Sequence, residues 1–402
     1  MIETVGLEAL VAEVLASTQV IDIHTHLFSP GFGSLGLWGI DHLLTYHYLE
    51  AELFRFSHIQ PDQYWALDTI RRADLIWKTL FVENTPISEA ARGVVAVLHA
   101  FGLDTSARIL KPYREFFRAQ HLDEHIARVF RLAGIESVVM TNDPLDPEES
   151  LLWNDAAPDA RFHAALRLDR ILNQDTEHTP AEARLFLESW ATRMRAVYMA
   201  VSLPDSFQFP AHDRRNQLLT EAVLPACREL NIPLSLMIGV RRQVNPALDL
   251  AGDASGRTDL RSVESLCRDY PDNRFLVSVL SRENQHELCV YARKFANLMP
   301  FGCWWFLNNP STVEEITRER LEMLGTSFIP QHSDARILEQ VIYKWRNTRR
   351  TLAPILAEKY RLLAEDGREV TRGEIERDVN RLFRVNFEHL CGSPSGRFQE
   401  GA

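Results

Sequence analysis

Two rhythms of apolar and polar positions alternate along this chain. Short apolar runs of strand length occur at Val20–Ile23, Ser137–Thr141, Phe162–Leu168, Ala196–Leu203, Pro233–Gly239, Phe275–Leu280, Phe301–Leu307 and Ser327–His332. Between most of them, apolar residues recur at three- and four-residue spacing, as on one face of a helix. About eight strands, most followed by a helix, outline an α/β protein built as a parallel (β/α)8 TIM-type barrel. An open doubly wound sheet has the same periodicity and stays as the alternative. No Gly-x-Gly-x-x-Gly turn and no P-loop interrupts the pattern, so nucleotide binding has no support.

One long stretch breaks the alternation. From about Asp41 to about Leu132 there is helical periodicity and no convincing strand; Asp68–Phe81 and Ile87–Phe101 are its clearest amphipathic segments. The expected organisation is therefore an N-terminal helix and first strand (1–40), a helical insertion (41–132), the rest of the barrel (133–336) and C-terminal helices with a tail (337–402), expected on the barrel's outside.

Composition narrows the function classes. The chain has 402 residues, 46% hydrophobic and 25% charged, which is enough for a sizeable core. A net charge of -11 argues against a general nucleic-acid or anionic-membrane binder, because phosphate affinity comes from clustered Lys and Arg. An anionic substrate would have to be held by local arginines against the global field. Residues 1–18 are amphipathic and carry Glu3, Glu8 and Glu13, unlike a signal peptide, and no apolar run is long enough to span a bilayer. The five cysteines are dispersed without a CxxC pair, so a reducing cytoplasm is the expected compartment.

In a β/α barrel the chemistry sits where the strands end. His24-Thr25-His26 ends the first run, and alternate strand residues face one way, so two imidazoles aim at one point and form half of a site for a divalent cation such as zinc. Asp334 follows the last strand, which a closed barrel places beside the first, and is the natural third ligand; a helix N-cap is its ordinary alternative. Arg167 ends the third run and offers a fork for a carboxylate, or else pairs with Asp169. Arg336 is placed for the same cavity; of the adjacent Arg241 and Arg242, at most one points inward. Trp304 and Trp305 are candidate pocket walls for a sugar ring, and His42 a candidate residue over the mouth. His332 reads as a buried histidine behind the ligands.

These residues resemble a known family. Ile21-Asp22-Ile23-His24-Thr25-His26, Asp41-His42, Thr141-Asn142-Asp143-Pro144-Leu145-Asp146, Arg167 with Asp169, Ile238-Gly239, Phe301-Gly302-Cys303-Trp304-Trp305-Phe306-Leu307-Asn308 and Ser333-Asp334-Ala335-Arg336 are similar as a set to the uronate isomerases of the amidohydrolase superfamily. The resemblance implies a distorted barrel with one divalent metal, usually zinc, on His24, His26 and Asp334. It implies an aldose–ketose isomerisation of hexuronates, D-glucuronate to D-fructuronate and D-galacturonate to D-tagaturonate. Arg167 and Arg336 fall on substrate-contacting positions, and His42 on an active-site position. The chain departs from the pattern at Met237, where a histidine is usual and a thioether is a poor zinc ligand, and at Leu43, where a tyrosine is common.

The expected catalytic group is Asp334, assisted by Arg336 and His42, with Arg167, Arg336, Trp304 and Trp305 binding a small sugar acid. Two other classes stay open: a metal-dependent hydrolase of the same superfamily, and a non-catalytic sugar-acid-binding relative. The fourth run lacks a lysine and the sixth ends without histidine, which disfavours hydrolysis. Assembly into a homo-oligomer is left open.

Overall fold

In a computed structural model, residues 4–153, 159–174 and 178–392 are described. The expected tail at 393–402 lies outside them. The strands are β1 (Val20–Thr25), β2 (Ile135–Asn142), β3 (Phe162–Arg167), β4 (Tyr198–Pro204), β5 (Leu234–Arg241), β6 (Ala254–Ser255), β7 (Phe275–Val279) and β8 (Leu298–Pro300). They pair in the order β1-β2-β3-β4-β5-β7-β8, all parallel, with the two-residue β6 antiparallel on β5. The result is a curled, distorted (β/α)8 barrel rather than an open sheet.

Its seam is closed by a stave that is not a regular strand. Ile329 bridges Phe301 beside β8, and further on Asp334 N–H donates to the His24 carbonyl (3.1 Å) and His26 N–H to that of Ala335 (2.8 Å). The run Ser327–His332, expected as the last strand, therefore closes the barrel only by scattered bonds. Pro330 lacks an N–H for a ladder, and Asp334 has a left-handed backbone (φ 52). The run Phe301–Leu307 is also no strand: β8 precedes it, the chain turns at Gly302 (φ 63), and a 3-10 turn spans Trp305–Leu307. Only glycine suits that turn, because a Cβ at 302 would lie 1.9 Å from Nδ1 of His332.

Between β1 and β2 the chain runs through successive helices from Ile40–Leu44 to Leu122–Ala133. Leu122–Ala133 buries Ile126, Val129 and Phe130, ends at left-handed Gly134 and feeds β2. Outside the sheet, one apolar cluster joins these helices to the helix Gln340–Glu365, and another packs the later helices on β3–β7. The barrel interior holds Ile21, Ile23, Val139, Met237, Leu276 and Phe301, together with Phe387 and Leu390 of the C-terminal helix Asn386–Leu390. The C-terminal segment thus reaches the interior as well as the outside where it was expected. Burial of large apolar side chains, each about 1.5–3 kcal/mol, explains that placement.

Candidate active site

A bulge aims the two histidines. Ile21 and Ile23 face the barrel interior, and Asp22 faces outward to the indole of Trp345 (2.8 Å). Strict alternation would send His24 outward with Asp22. Between Asp22 and Thr25, however, β1 holds one more residue than the facing Val138–Met140 of β2, so His24 turns inward and His26 follows it.

Each imidazole is locked from behind by a hydroxyl. Tyr198 O–H donates to the Ile23 carbonyl (2.7 Å) and stands 3.0 Å from Nδ1 of His24. Having given its proton to Ile23, it accepts from His24 Nδ1–H. Thr141 O–H likewise donates to the Thr25 carbonyl (2.9 Å) and accepts from His26 Nδ1–H at 2.8 Å. Both Nε2 lone pairs are therefore directed at Asp334, in the manner of metal-binding histidines oriented by outer hydrogen bonds.

Asp334 is presented by a clamped peptide. Ser333 N–H donates to the buried Asp22 carboxylate (2.9 Å), and the Lys344 ammonium donates to the Ser333 carbonyl (2.5 Å). These grips hold the next residue in its left-handed conformation, a strain typical of functional positions. Asp334 Oδ1 lies 3.3 Å from Nε2 of His26 and 3.8 Å from that of His24, and it is buried without a hydrogen-bond partner. Burial pushes its carboxyl up; protonated imidazoles at His26, His24 and His332 would more than reverse this and hold it well below the usual carboxylate range, and with neutral imidazoles a cation has to do the same. Burial keeps His24 neutral by moving its pKa well below 6.5. A carboxylate oxygen facing imidazole lone pairs is repulsive unless a cation lies between them. The three ligand atoms all lie within 4.8 Å of one another, and the residues fit one metal ion.

Above this group opens a cleft whose lining includes Tyr46, His47, Arg167, Arg242, Trp304, Trp305 and Arg336. Arg167 and Arg336, and both tryptophans, thus come to the place where the ligand atoms meet. Arg167 is braced by Asp169 (Nε to Oδ2, 3.0 Å). Arg242 pairs with Asp253 at 2.6 Å, and Arg241 is not among the lining residues. Trp304 is buried, and Trp305 (φ 49) donates its indole N–H to Nε2 of His47 at 3.1 Å.

His42 is the exception. It sits on the helix Ile40–Leu44 and does not line the cleft. The Gly39 N–H before that helix is held by Glu339 (3.1 Å), and Asp41 is held by Arg114 (2.9 Å), which turns His42 aside. The next helix, His47–Phe56, starts at the mouth and brings His47 instead. Burial lowers the His47 imidazole to about 4. Beside it, the Tyr48 hydroxyl is buried without a partner. The aromatic triplet Tyr46-His47-Tyr48 was a sequence signal for this, as was Tyr198, a phenol in an otherwise apolar run. Met237 is buried in the barrel interior, beside Ser202 in register, and is not among the residues that line the cleft; Leu43 is core. His332 is wholly buried with both ring nitrogens unpartnered, its ring 5.4 Å from that of His24.

No family model matches the chain, and neither does any curated protein. Solved structures do. The uronate isomerase of Bacillus halodurans is 48% identical, with 98% of each chain covered and a TM-score of 0.95. A uronate isomerase of Thermotoga maritima shares the fold at 16% identity (96% of this chain, 97% of that one, TM-score 0.77). So does the glucuronate isomerase of Caulobacter crescentus, at 16% identity (97% and 94%, TM-score 0.73). With near-half identity over almost the whole length of the first of these, and the same barrel in all three, the chain belongs to the uronate isomerase family.

Proposed function

We propose that the cleft interconverts the aldo and keto forms of hexuronates, D-glucuronate with D-fructuronate and D-galacturonate with D-tagaturonate. The observation that carries this reading is the meeting of a His-His-Asp ligand group with arginines at one barrel mouth. His24, His26 and Asp334 would hold the metal, and zinc suits two imidazoles and a carboxylate with a position left open. When bound, the ion supplies a Lewis acid that polarises the substrate's carbonyl and hydroxyl oxygens.

The chain's own side chains account for the rest. Arg336 and Arg167 supply the cations of the mouth, one to hold the C6 carboxylate of the open-chain sugar acid and one to stabilise the negative charge that develops on the C1 and C2 oxygens. Braced by Asp169, Arg167 offers its fork in one orientation. Trp304 and Trp305 exclude water and give the carbon chain a flat apolar face. Asp334, ionised when it holds the metal, has Oδ1 turned to the imidazoles, leaving Oδ2 to take the proton from C2 and return it at C1 while the C2 hydroxyl proton passes to the C1 oxygen.

The test is incubation of the zinc-loaded protein with D-glucuronate in deuterated water, followed by proton NMR. Loss of the C2 proton signal with ketose formation is expected. No exchange with any hexuronate, alongside cleavage of a lactone or amide panel, would overturn the reading in favour of a hydrolase.

A further inference from the structure

Cationic side chains converge at a second cavity, between the helix Glu89–Ala100 and the helix Gln340–Glu365. Arg92 and His99 reach it from the first helix, and Arg346 and Arg350 from the second, with Asn347 between. Tyr343 and Ala96 provide apolar surface. Gly93 packs so closely on Tyr343 that a Cβ there would lie 2.7 Å from the ring, so the ring takes the space a side chain would need.

This charge pattern works against stability. Arg346 and Arg350 stand one helical turn apart, where like charges cost about 0.2–0.5 kcal/mol, and Arg92 lines the same hollow. Among the described residues neither makes an ion pair or hydrogen bond, whereas neighbouring Arg349 donates to the carbonyls of Leu15, Thr18, Ala133 and Gly134. Glu89, a carboxylate beside them, already pairs with Arg92 (3.7 Å) and accepts from Asn347. In a chain of net charge -11, two exposed arginines without a partner among the described residues, set beside Arg92 and the His99 imidazole around a hollow with an aromatic wall, favour a bound anion.

We propose that this cavity binds an organic anion, with a phosphate or carboxylate held between the guanidinium groups and an apolar body laid against Tyr343 and Ala96. Guanidinium forks match both oxyanions, and the apolar wall selects against a bare inorganic ion. The site shares no lining residue with the cleft and does not depend on the isomerase reading.

Calorimetric titration of the metal-loaded full chain tests it, with phenyl phosphate, benzoate and inorganic phosphate as probes. Phenyl phosphate or benzoate, whichever head group the site prefers, is expected to bind more tightly than inorganic phosphate. Its Kd should rise at least about tenfold in Arg346→Ala/Arg350→Ala and in Ala96→Trp, which fills the hollow without changing charge. It should be unchanged in Arg336→Met. No binding of either aromatic probe overturns the proposal, as does an affinity that survives both cavity variants, or one lost in Arg336→Met, which would place the probe in the cleft.

Discussion

The Tyr198 hydroxyl bridges the Ile23 carbonyl and Nδ1 of His24, at 2.7 and 3.0 Å, and thereby sets which nitrogen of His24 carries the proton. Tyr198→Phe removes that acceptor and leaves the lone pair at Nε2 unfixed. Metal affinity, measured by competition with a chelator, is expected to fall about 10- to 100-fold. An unchanged affinity would show that the phenol has no part in orienting the ligand.

His24→Ala removes one of three ligand atoms, and Asp334→Asn the carboxylate that faces the other two. Metal content after purification is expected to drop to background in both, with turnover lost and the far-ultraviolet circular dichroism retained. Full metal stoichiometry in His24→Ala would refute the ligand assignment.

Arg336→Met deletes the guanidinium proposed to anchor the substrate's carboxylate at the mouth. Inhibition by an open-chain sugar acid is expected to weaken about 10- to 100-fold, as for loss of a charged hydrogen bond, and inhibition by the matching neutral alditol to change little. Equal losses for acid and alditol would remove its role as anchor.

Burial lowers the imidazoles of His47 and His163 to about 4. In the unfolded chain they bind protons near about 6.5. Between these values the unfolded state holds more protons, so stability falls as pH drops through the window and levels off below it, at roughly 3 kcal/mol for a fully buried group. The thermal midpoint of metal-free protein should therefore decline from pH 6.5 towards pH 4, and His163→Gln should decline less steeply. The same slope in the variant would sink the assignment.

The arrangement of the barrel and the meeting of His24, His26 and Asp334 at one point were legible because they rest on local pattern. Short apolar runs placed β1 to β5 and β7, and the presence of a strand before His-x-His and of an Asp-x-Arg after the last run sufficed to pair the two ends of the chain across a seam. The last two staves were misplaced: Phe301–Leu307 and Ser327–His332 are as apolar as strands, yet a close approach to His332 at Gly302 and the missing N–H of Pro330 decide their backbone.

The sequence by itself determined the fold class and which histidines, aspartate and arginines could gather at the barrel mouth, since hydrophobic periodicity and donor chemistry are properties of the residues alone. Tertiary structure alone decided that a single extra residue in β1 turns His24 inward, that Tyr198 and Thr141 orient the imidazoles, that His47 and not His42 reaches the cleft, and that a C-terminal helix fills the barrel interior. Each of these depends on contacts between segments far apart in the chain, where the register of one strand against its neighbour and the space left by packing choose among conformations that the local sequence allows equally.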